Sequence, residues 1–218
     1  MRAMILAAGK GERMLPLTRS MPKPLLQAGG KALIEYHIES LSRAGITEIV
    51  INTAKFGNKI EAYLGRGDQW RVDIQYSHEG DEPQGTGGGV QKALPLIGKG
   101  PFVLINGDVW TDYNFKALIR DYNSLIHLVM VKNPPQHLQG DFCLRHNRVR
   151  LTGGDRYTYS GIGVFSSEFF ALPDNSMFSF VPELRSAISR DQVSGELYSG
   201  QWDDIGTPER LDKLNARL

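Results

Sequence analysis

An apolar run leads directly into a glycine-rich turn in the stretch Ile5-Leu6-Ala7-Ala8-Gly9-Lys10-Gly11-Glu12-Arg13-Met14. A short apolar run without polar alternation is typical of a strand that is covered on both faces, as in a parallel sheet. Glycines just beyond such a strand let backbone amides point at a phosphate chain and let that chain approach closely. The stretch therefore predicts an α/β fold whose first strand ends at a phosphate-binding turn.

Apolar runs of the same kind recur along the first two thirds of the chain, at residues 3–8, 46–52, 72–77, 102–106 and 125–131. Between them, the spacing of apolar residues predicts helices at 31–44, 57–64 and 86–94. After two prolines, shorter and more polar runs predict antiparallel strands at 141–146, 149–152 and 159–165. The remaining chain predicts a helix at 180–190, a strand at 197–202 and a last helix from Thr207. We expect a three-layer, Rossmann-like, mostly parallel sheet with a small antiparallel accessory sheet.

Length, charge and cysteine content restrict the class of protein. The 218 residues suffice for one domain with a full core, because a chain of this length buries about 70% of its unfolded surface. Lys and Arg (25) balance Asp and Glu (24), which argues against a protein that coats nucleic acid and against a polybasic membrane anchor. The single cysteine, Cys143, cannot form an intramolecular disulfide, and the first apolar run is too short for a signal peptide or membrane span. We expect a cytoplasmic protein without nucleic-acid or membrane partners.

Three interpretations of the glycine turn compete. A dinucleotide fold needs G-x-G-x-x-G directly before a helix and an acidic residue at the end of the second strand. Here Met14 stands at the third glycine position and Asn52 ends the second strand, so this interpretation is disfavoured. A Walker A loop needs Gly-Lys-Ser/Thr, which the turn lacks. An ordinary glycine turn is the remaining alternative.

A lysine between two prolines, Pro22-Lys23-Pro24, follows the turn. Each proline fixes its own φ, and Pro24 favours extended geometry at Lys23. Arg13 and Lys23 would then place two cations beside the glycine amides, as a triphosphate and its transition state require. A solvated lysine in a proline-rich loop is the alternative.

Two acidic positions could share one metal ion. Asp108 follows the apolar run 102–106, and ligands of open α/β sheets bind where strands end. Asp203 and Asp204 precede the last helix. Two carboxylates with phosphate oxygens and water suit Mg²⁺, which takes few protein ligands. The alternatives are a turn aspartate at 108 and a helix cap at 203 or 204.

Together these motifs resemble the signature of sugar-1-phosphate nucleotidyltransferases. The resemblance is carried by Gly9-x-Gly11-x-Arg13-Met14-x-Pro16-Leu17-Thr18, Pro22-Lys23-Pro24, Asn106-Gly107-Asp108 and Trp202-x-Asp204-x-Gly206-Thr207. It implies that Arg13 and Lys23 are catalytic, and that Asp108 and Asp204 are the ligands of Mg²⁺. The family pattern usually has Thr-Arg-Leu where this chain has Glu12-Arg13-Met14.

The resemblance also implies where a nucleoside triphosphate and a sugar 1-phosphate bind. The implied nucleotide-binding residues are Ala7, Ala8, Gly9, Gly11, Glu79, Gly85 and Asn106. The implied sugar-binding residues are Gly140, Asp141, Ser160 and Gly161. In the nucleobase segment, Glu79 and backbone groups near Gly85 would read the edge of a pyrimidine. We expect one domain over residues 1–218, with a nucleotide-binding part at about 1–112 and a sugar-binding and accessory part at about 113–218.

Within that family, the short Gly140-Asp141-Phe142 form and the stretch 106–112 are most similar to bacterial uridylyltransferases of cell-wall recycling. That similarity implies UTP and N-acetylmuramate 1-phosphate as substrates. Mannose-1-phosphate guanylyltransferases and glucose-1-phosphate thymidylyltransferases or uridylyltransferases share the core motifs and are alternatives. The Glu-Lys-Pro stretch of larger members is missing. A non-catalytic nucleotide-binding sensor is the alternative from a different class.

Overall fold

The computed structural model of the protein describes residues 1–171 and 178–218. Its strands are β1 (Arg2–Leu6), β2 (Gln27–Ala28), β3 (Lys31–Ala32), β4 (Glu48–Thr53), β5 (Asp73–His78), β6 (Pro101–Asn106), β7 (Val109–Thr111), β8 (Ile126–Val131), β9 (Phe142–Arg145), β10 (Arg148–Arg150), β11 (Arg156–Ser166), β12 (Val193–Tyr198) and β13 (Trp202–Asp204). Its α-helices are α1 (Leu33–Arg43), α2 (Gly57–Leu64), α3 (Gly85–Ile97), α4 (Val181–Ser189) and α5 (Pro208–Arg217). Within the described ranges, no helix is long and apolar enough to cross a membrane.

A mixed sheet of nine strands, in the order β5-β4-β1-β6-β11-β8-β12-β10-β9, forms the centre of the described part of the chain. Strands β5, β4, β1 and β6 pair in parallel, and so do β8 and β12. Strand β11 pairs antiparallel with β6, β8 and β9, and β10 pairs antiparallel with β12 and β9. The sequence-based prediction of an α/β fold is confirmed.

The antiparallel strands predicted for the small accessory sheet are present, but they continue the main sheet. The three strands expected there, β9, β10 and β11, belong to the main sheet. The cause is the length of β11, which has 11 residues. Its first residues pair with β9, and its last five pair with β6. One continuous strand therefore joins the parallel and antiparallel parts, and the sheet is mixed rather than mostly parallel.

Successive residues of the central strands pack on opposite faces of the sheet. On β1, Ala3 and Ile5 contact one buried cluster, which contains the apolar faces of α1 and α2. Met4 contacts a second cluster, which contains those of α3 and α4. Burial on both faces explains why these strands are apolar throughout, and it leaves the strand ends as the accessible part of the sheet.

Distant parts of the chain meet in a two-stranded antiparallel sheet formed by β7 and β13. Helix α5 begins at Pro208, as predicted, and packs Leu211 and Leu214 in a third buried cluster with Trp110. The predicted strand at 197–202 is wrong, because β12 ends at Tyr198 and β13 begins at Trp202. This pairing brings the last 17 residues to the carboxyl end of β6.

Candidate active site

A cavity of about 620 Å³ lies where β1, β4, β5 and β6 end. Ten of the residues predicted for the site line it, namely Ala7, Ala8, Gly9, Gly11, Arg13, Lys23, Glu79, Gly85, Asn106 and Asp108. The five other predicted residues are not among the lining residues, namely Gly140, Asp141, Ser160, Gly161 and Asp204. The structure thus brings the expected nucleotide-binding and cationic residues together at one edge of the sheet.

The glycine turn is held in place by a threonine. Gly11 has a φ of +65°, which favours glycine, and the hydroxyl of Thr18 donates a hydrogen bond to its carbonyl oxygen at 2.7 Å. A Cβ at Gly11 would lie 3.0 Å from the Thr18 methyl group. The turn is therefore fixed by packing as well as by its glycines.

Lys23 is buried and faces Asp108 across the cavity. Its side-chain nitrogen lies 2.8 Å from Oδ2 of Asp108, and the residue is only 8% exposed. The extended geometry expected at Lys23 is wrong, because Lys23–Leu25 forms a 3₁₀ turn that buries Leu25 and Leu26. A buried ammonium group requires a partner of opposite charge, and the Asp108 carboxylate supplies it.

Arg13 lies at the rim of the same cavity with an exposed side chain. Within residues 1–171 and 178–218 it has no hydrogen-bond or ion-pair partner. Its Nη1 lies 3.3 Å from the position that a Cβ at Gly206 would take. The guanidinium group is therefore available to an anion, and it sits where the first and last parts of the chain meet.

The two predicted metal ligands lie in neighbouring backbone segments, at the pair formed by β7 and β13. Asp204 pairs in register with Val109, and the amide of Ile205 donates a hydrogen bond to the carbonyl oxygen of Asp108 at 2.9 Å. Each carboxylate is partly exposed, and Asp204 forms an ion pair with Arg210 at 2.7 Å. The described residues contain no cluster of three or more metal-ligating side chains. The pair fits a metal ion that takes its other ligands from substrate and water, as Mg²⁺ does.

Glu79 lines the cavity, and both of its carboxylate oxygens are hydrogen-bonded within the protein. It is 6% exposed, Oε1 accepts a hydrogen bond from Nδ2 of Asn52 at 2.5 Å, and Oε2 accepts one from the amide of Gln84 at 2.6 Å. Asn52 in turn accepts a hydrogen bond from the amide of Ala7 at 2.7 Å. Asn52 lines the cavity and was not among the predicted site residues. Its signal in the sequence is a polar residue at the end of a buried strand.

The glycines at the start of α3 permit three close contacts. Gly85 has a φ of +72°, and the amide of Gly87 donates a hydrogen bond to the carbonyl oxygen of Phe178 at 3.0 Å. A Cβ at Gly87 would lie 2.4 Å from the Phe178 ring, and one at Gly89 would lie 2.3 Å from Oε1 of Glu79. The helix start is thus packed against both Phe178 and Glu79.

Two of the predicted sugar-binding residues border the cavity, although they do not line it. A bulge in β11 gives Gly161 a φ of +79°, and a Cβ there would lie 2.7 Å from Nδ2 of Asn106. The carbonyl oxygen of Ser160 accepts a hydrogen bond from Nε1 of Trp202 at 2.9 Å. The bulge therefore lies between the end of β6 and β13.

The other two predicted sugar-binding residues lie farther along the sheet. Gly140 has a φ of +57°, and Asp141 accepts a hydrogen bond from the amide of Tyr159 at 2.8 Å. Nε2 of His137 lies 3.0 Å from the other carboxylate oxygen of Asp141. In this structure Asp141 stabilises the start of β11, next to the bulge that borders the cavity.

Buried ionisable groups lie behind the site. Burial lowers the pKa of His37 on α1 to about 4, so the ring is neutral at physiological pH. A hydrogen bond to the backbone of Val109 places the ring directly behind Asp108. Farther along the sheet, hydrogen bonds from His127 and Tyr113 lower the pKa of Glu196 to about 2. None of these groups is among the residues that line the cavity.

Comparisons with known proteins agree with this site. The nucleotidyl transferase family model matches residues 2–142. The chain is 44% identical over 225 residues to the N-acetylmuramate alpha-1-phosphate uridylyltransferase of Neisseria meningitidis serogroup B, covering 99% of this chain and 97% of that protein. It is 30% identical to the enzyme of that name from Caulobacter vibrioides, with 99% and 96% covered.

A solved structure shows the same fold. It is that of a provisionally assigned glucose-1-phosphate thymidylyltransferase from Bacillus anthracis, in complex with sucrose, which has 22% sequence identity and a TM-score of 0.87. The match covers 100% of this chain and 94% of that protein. Because the family match spans more than half of the chain and the motifs that carry it line one cavity, the chain belongs to the nucleotidyl transferase family.

Proposed function

We propose that the chain condenses UTP with N-acetylmuramate 1-phosphate to give UDP-N-acetylmuramate and pyrophosphate. The observation that carries the reaction type is the arrangement of Lys23, Arg13 and Asp108 around a glycine turn in one cavity, with Asp204 on the neighbouring strand β13. The choice of UTP and of the sugar rests on the two relatives, which are uridylyltransferases similar to this chain over almost its full length.

The reaction is a displacement at the α-phosphorus of UTP. A phosphate oxygen of the sugar 1-phosphate forms the new P–O bond, and the bond between the α-phosphorus and the pyrophosphate oxygen breaks on the opposite side. The attacking phosphate needs no general base, since its second pKa is about 6 and it is largely ionised at neutral pH. None of the lining residues in the described part of the chain is a histidine, in agreement with such a mechanism.

The cations of the site bind and orient the phosphates. Lys23 reaches into the cavity from a rigid turn, where it would contact the α-phosphate or the sugar phosphate as charge redistributes. Arg13 has no partner among the described residues and would bind the departing pyrophosphate, together with the amides of the glycine turn. Asp108 and Asp204 would hold Mg²⁺, which neutralises phosphate charge and aligns the reacting groups.

The two substrates meet near Asn106. We propose that residues 1–112, whose parallel strands end at the cavity in a Rossmann-like manner, bind the nucleotide. Residues 113–218 supply the sugar side through the bulge at Ser160 and Gly161, which packs against Asn106 and Trp202. Gly140 and Asp141 support that bulge through the amide of Tyr159.

The test is pyrophosphate release with Mg²⁺ over a grid of substrates. UTP, dTTP, GTP, ATP and CTP are each combined with the 1-phosphates of N-acetylmuramate, N-acetylglucosamine, glucose and mannose. We expect turnover to peak with UTP and N-acetylmuramate 1-phosphate, and chelation of Mg²⁺ to abolish it. A peak at another pair would refute the proposed substrates but keep the reaction type. Nucleotide binding without turnover at any pair would indicate a sensor.

A further inference from the structure

We infer that Asn52 is a positioning residue that sets the spacing between the two loops around the nucleotide, an inference that rests on the proposed function. Asn52 is the last residue but one of β4 and is 3% exposed. Its Oδ1 accepts a hydrogen bond from the amide of Ala7 at 2.7 Å, just beyond β1. Its Nδ2 donates one to Oε1 of Glu79 at 2.5 Å, just beyond β5. One side chain therefore joins the ends of three neighbouring strands.

Glu79 extends this connection to the other wall of the cavity. Its second oxygen accepts a hydrogen bond from the amide of Gln84 at 2.6 Å, and the next residue, Gly85, lines the cavity at the start of α3. The series Ala7–Asn52–Glu79–Gln84, which we call the amide–carboxylate chain, thus connects the glycine turn with the start of α3. Its length fixes the width of the space in which a nucleoside must fit.

The donors and acceptors of the amide–carboxylate chain allow only one orientation of the Asn52 side-chain amide. The amide of Ala7 can only donate, and both oxygens of the Glu79 carboxylate accept, one from Asn52 and one from the amide of Gln84. The residue between them must therefore present an acceptor on one side and a donor on the other, which the Asn side chain does. Turning the Asn amide over would oppose donor to donor and acceptor to acceptor, so the orientation is set by its neighbours.

The same contacts assign Glu79 a positioning role in place of the expected reading of the base. Both carboxylate oxygens are already bonded within the protein, and α3 packs against the pair at Gly89. A Cβ at Gly89 would lie 2.3 Å from Oε1 of Glu79 and 2.8 Å from Nδ2 of Asn52. The pair is therefore confined on three sides, and a change at any of them alters the distance between the loops.

The test reverses the polarity of the central hydrogen bond. Asn52→Asp keeps the acceptor for the Ala7 amide but opposes two carboxylates, and Glu79→Gln keeps the acceptor for the Gln84 amide but opposes two amide groups. In the double variant, the new Gln donates to the new Asp and all three hydrogen bonds are restored with the same net charge. Asn58→Asp, at an exposed position of α2, is the control for added charge.

Two quantities are measured. Calorimetry gives the affinity for whichever of the five triphosphates the wild type binds most tightly, and steady-state kinetics give kcat and KM. We expect each single variant to weaken binding about tenfold or more, since a buried polar group loses its partner, and the double variant to return to within about threefold of the wild type. The KM of the nucleotide rises in the single variants, while the KM of the sugar phosphate and kcat stay within about threefold. Asn58→Asp binds as the wild type does.

Two results would overturn the inference. One is single variants that fold and bind the triphosphate as the wild type does. The other is a folded double variant that still binds poorly, which would mean that the Glu79 carboxylate contacts the nucleotide itself. If the double variant does not fold, binding of the triphosphate is measured with Gly89→Ala instead. The new methyl group would displace Asn52 and Glu79, and position 89 does not line the cavity. Weakened binding supports the inference, and unchanged binding overturns it.

The proposed function can be refuted independently of the positioning role of Asn52. If the wild type prefers another triphosphate to UTP, the proposed nucleotide is wrong, and the variants are compared with the triphosphate that does bind. If the wild type binds none of the five, both the proposed function and the positioning role of Asn52 are overturned.

Discussion

Lys23 illustrates how one residue serves both the free protein and the proposed reaction. In the free protein its ammonium group neutralises Asp108 at 2.8 Å. With phosphates present, the same group would bind the α-phosphate or the sugar phosphate. We predict that Lys23→Ala lowers kcat by about a hundredfold or more, because removing one such electrostatic contact typically has an effect of that size.

Lys10→Ala is the matched control for Lys23→Ala. Lys10 belongs to the same glycine turn, but its side chain is 53% exposed and pairs with Glu82 at the surface. Steady-state pyrophosphate release and thermal unfolding are compared for both variants, and we expect Lys10→Ala to lose little activity. A folded Lys23→Ala enzyme with wild-type kcat would contradict the catalytic role of Lys23.

His37 predicts a specific dependence of stability on pH. Its pKa is about 4 in the folded protein and about 6.5 in an unfolded chain, so the unfolded state binds the proton first as pH falls. The stabilising effect of neutral His37 is full above about pH 6.5 and is lost as pH falls from there toward 4. Between pH 7 and 5, the wild type should lose about 2 kcal/mol of unfolding free energy through this group.

His37→Asn separates this effect from general acid unfolding. The Asn amide can donate to the Val109 carbonyl oxygen but does not titrate, so the variant is less stable at pH 7 and less sensitive to acid. Urea unfolding at pH 7 and 5 measures both proteins. Equal losses of unfolding free energy in the two proteins would show that His37 is not the group responsible.

At the scale of elements, the pairing of β7 with β13 decides where the two carboxylates lie. Asp112, just after β7, holds the segment before β13 in place. Its Oδ1 accepts hydrogen bonds from the amide of Gln201 at 2.7 Å and from the hydroxyl of Tyr198. We predict that Asp112→Ala raises the Mg²⁺ concentration for half-maximal activity and lowers kcat by about tenfold, because Asp204 is no longer held beside Asp108.

Asp112→Asn tests whether that effect comes from the hydrogen bonds. The Asn side chain keeps an acceptor oxygen for both partners, so it should retain most of the activity and the Mg²⁺ response. Magnesium titrations of pyrophosphate release compare the two variants. If Asn and Ala at position 112 behave alike, then charge rather than hydrogen bonding is the property that matters at this position.

The bounds of a helix can be predicted from sequence where the apolar spacing and a helix-ending glycine agree. The predicted bounds of α2 are those observed, because its apolar spacing is followed directly by Gly65. The strand predicted at 197–202 was wrong because the break after Tyr198 depends on Asp112 binding the amide of Gln201, 89 positions away. Likewise, the continuity of the accessory strands with the main sheet could not be predicted, because the pairing of β11 with β6 joins distant segments. Errors arose where partners far apart in sequence decide the structure.

At the scale of the whole molecule, the motifs predicted which residues share the cavity but not how these residues are bonded. Gly11, Lys23, Asn106 and Asp108 meet where expected, because the strands that precede them end at one edge of the sheet. The turning of Glu79 toward Asn52 could not be predicted, since it depends on how β1, β4 and β5 align in space.

The last part of the chain completes the site by returning to its first part. Ile205 and Leu214 pack in one buried cluster with Met14 of the glycine turn. The amide of Ile205 thereby binds the carbonyl oxygen of Asp108, and Gly206 lies beside Arg13. The proposed function therefore requires that one catalytic centre, built from the first and last parts of the chain, joins the two substrates directly.

The most direct test of that requirement follows individual atoms by phosphorus NMR. The protein is incubated with UTP, Mg²⁺ and N-acetylmuramate 1-phosphate whose phosphate oxygens carry oxygen-18. We predict that the label appears in the oxygen that bridges the two phosphorus atoms of UDP-N-acetylmuramate, and that unlabelled pyrophosphate is released. Release of inorganic phosphate, or a product with unlabelled bridging oxygen, would contradict attack by the sugar phosphate on the α-phosphorus.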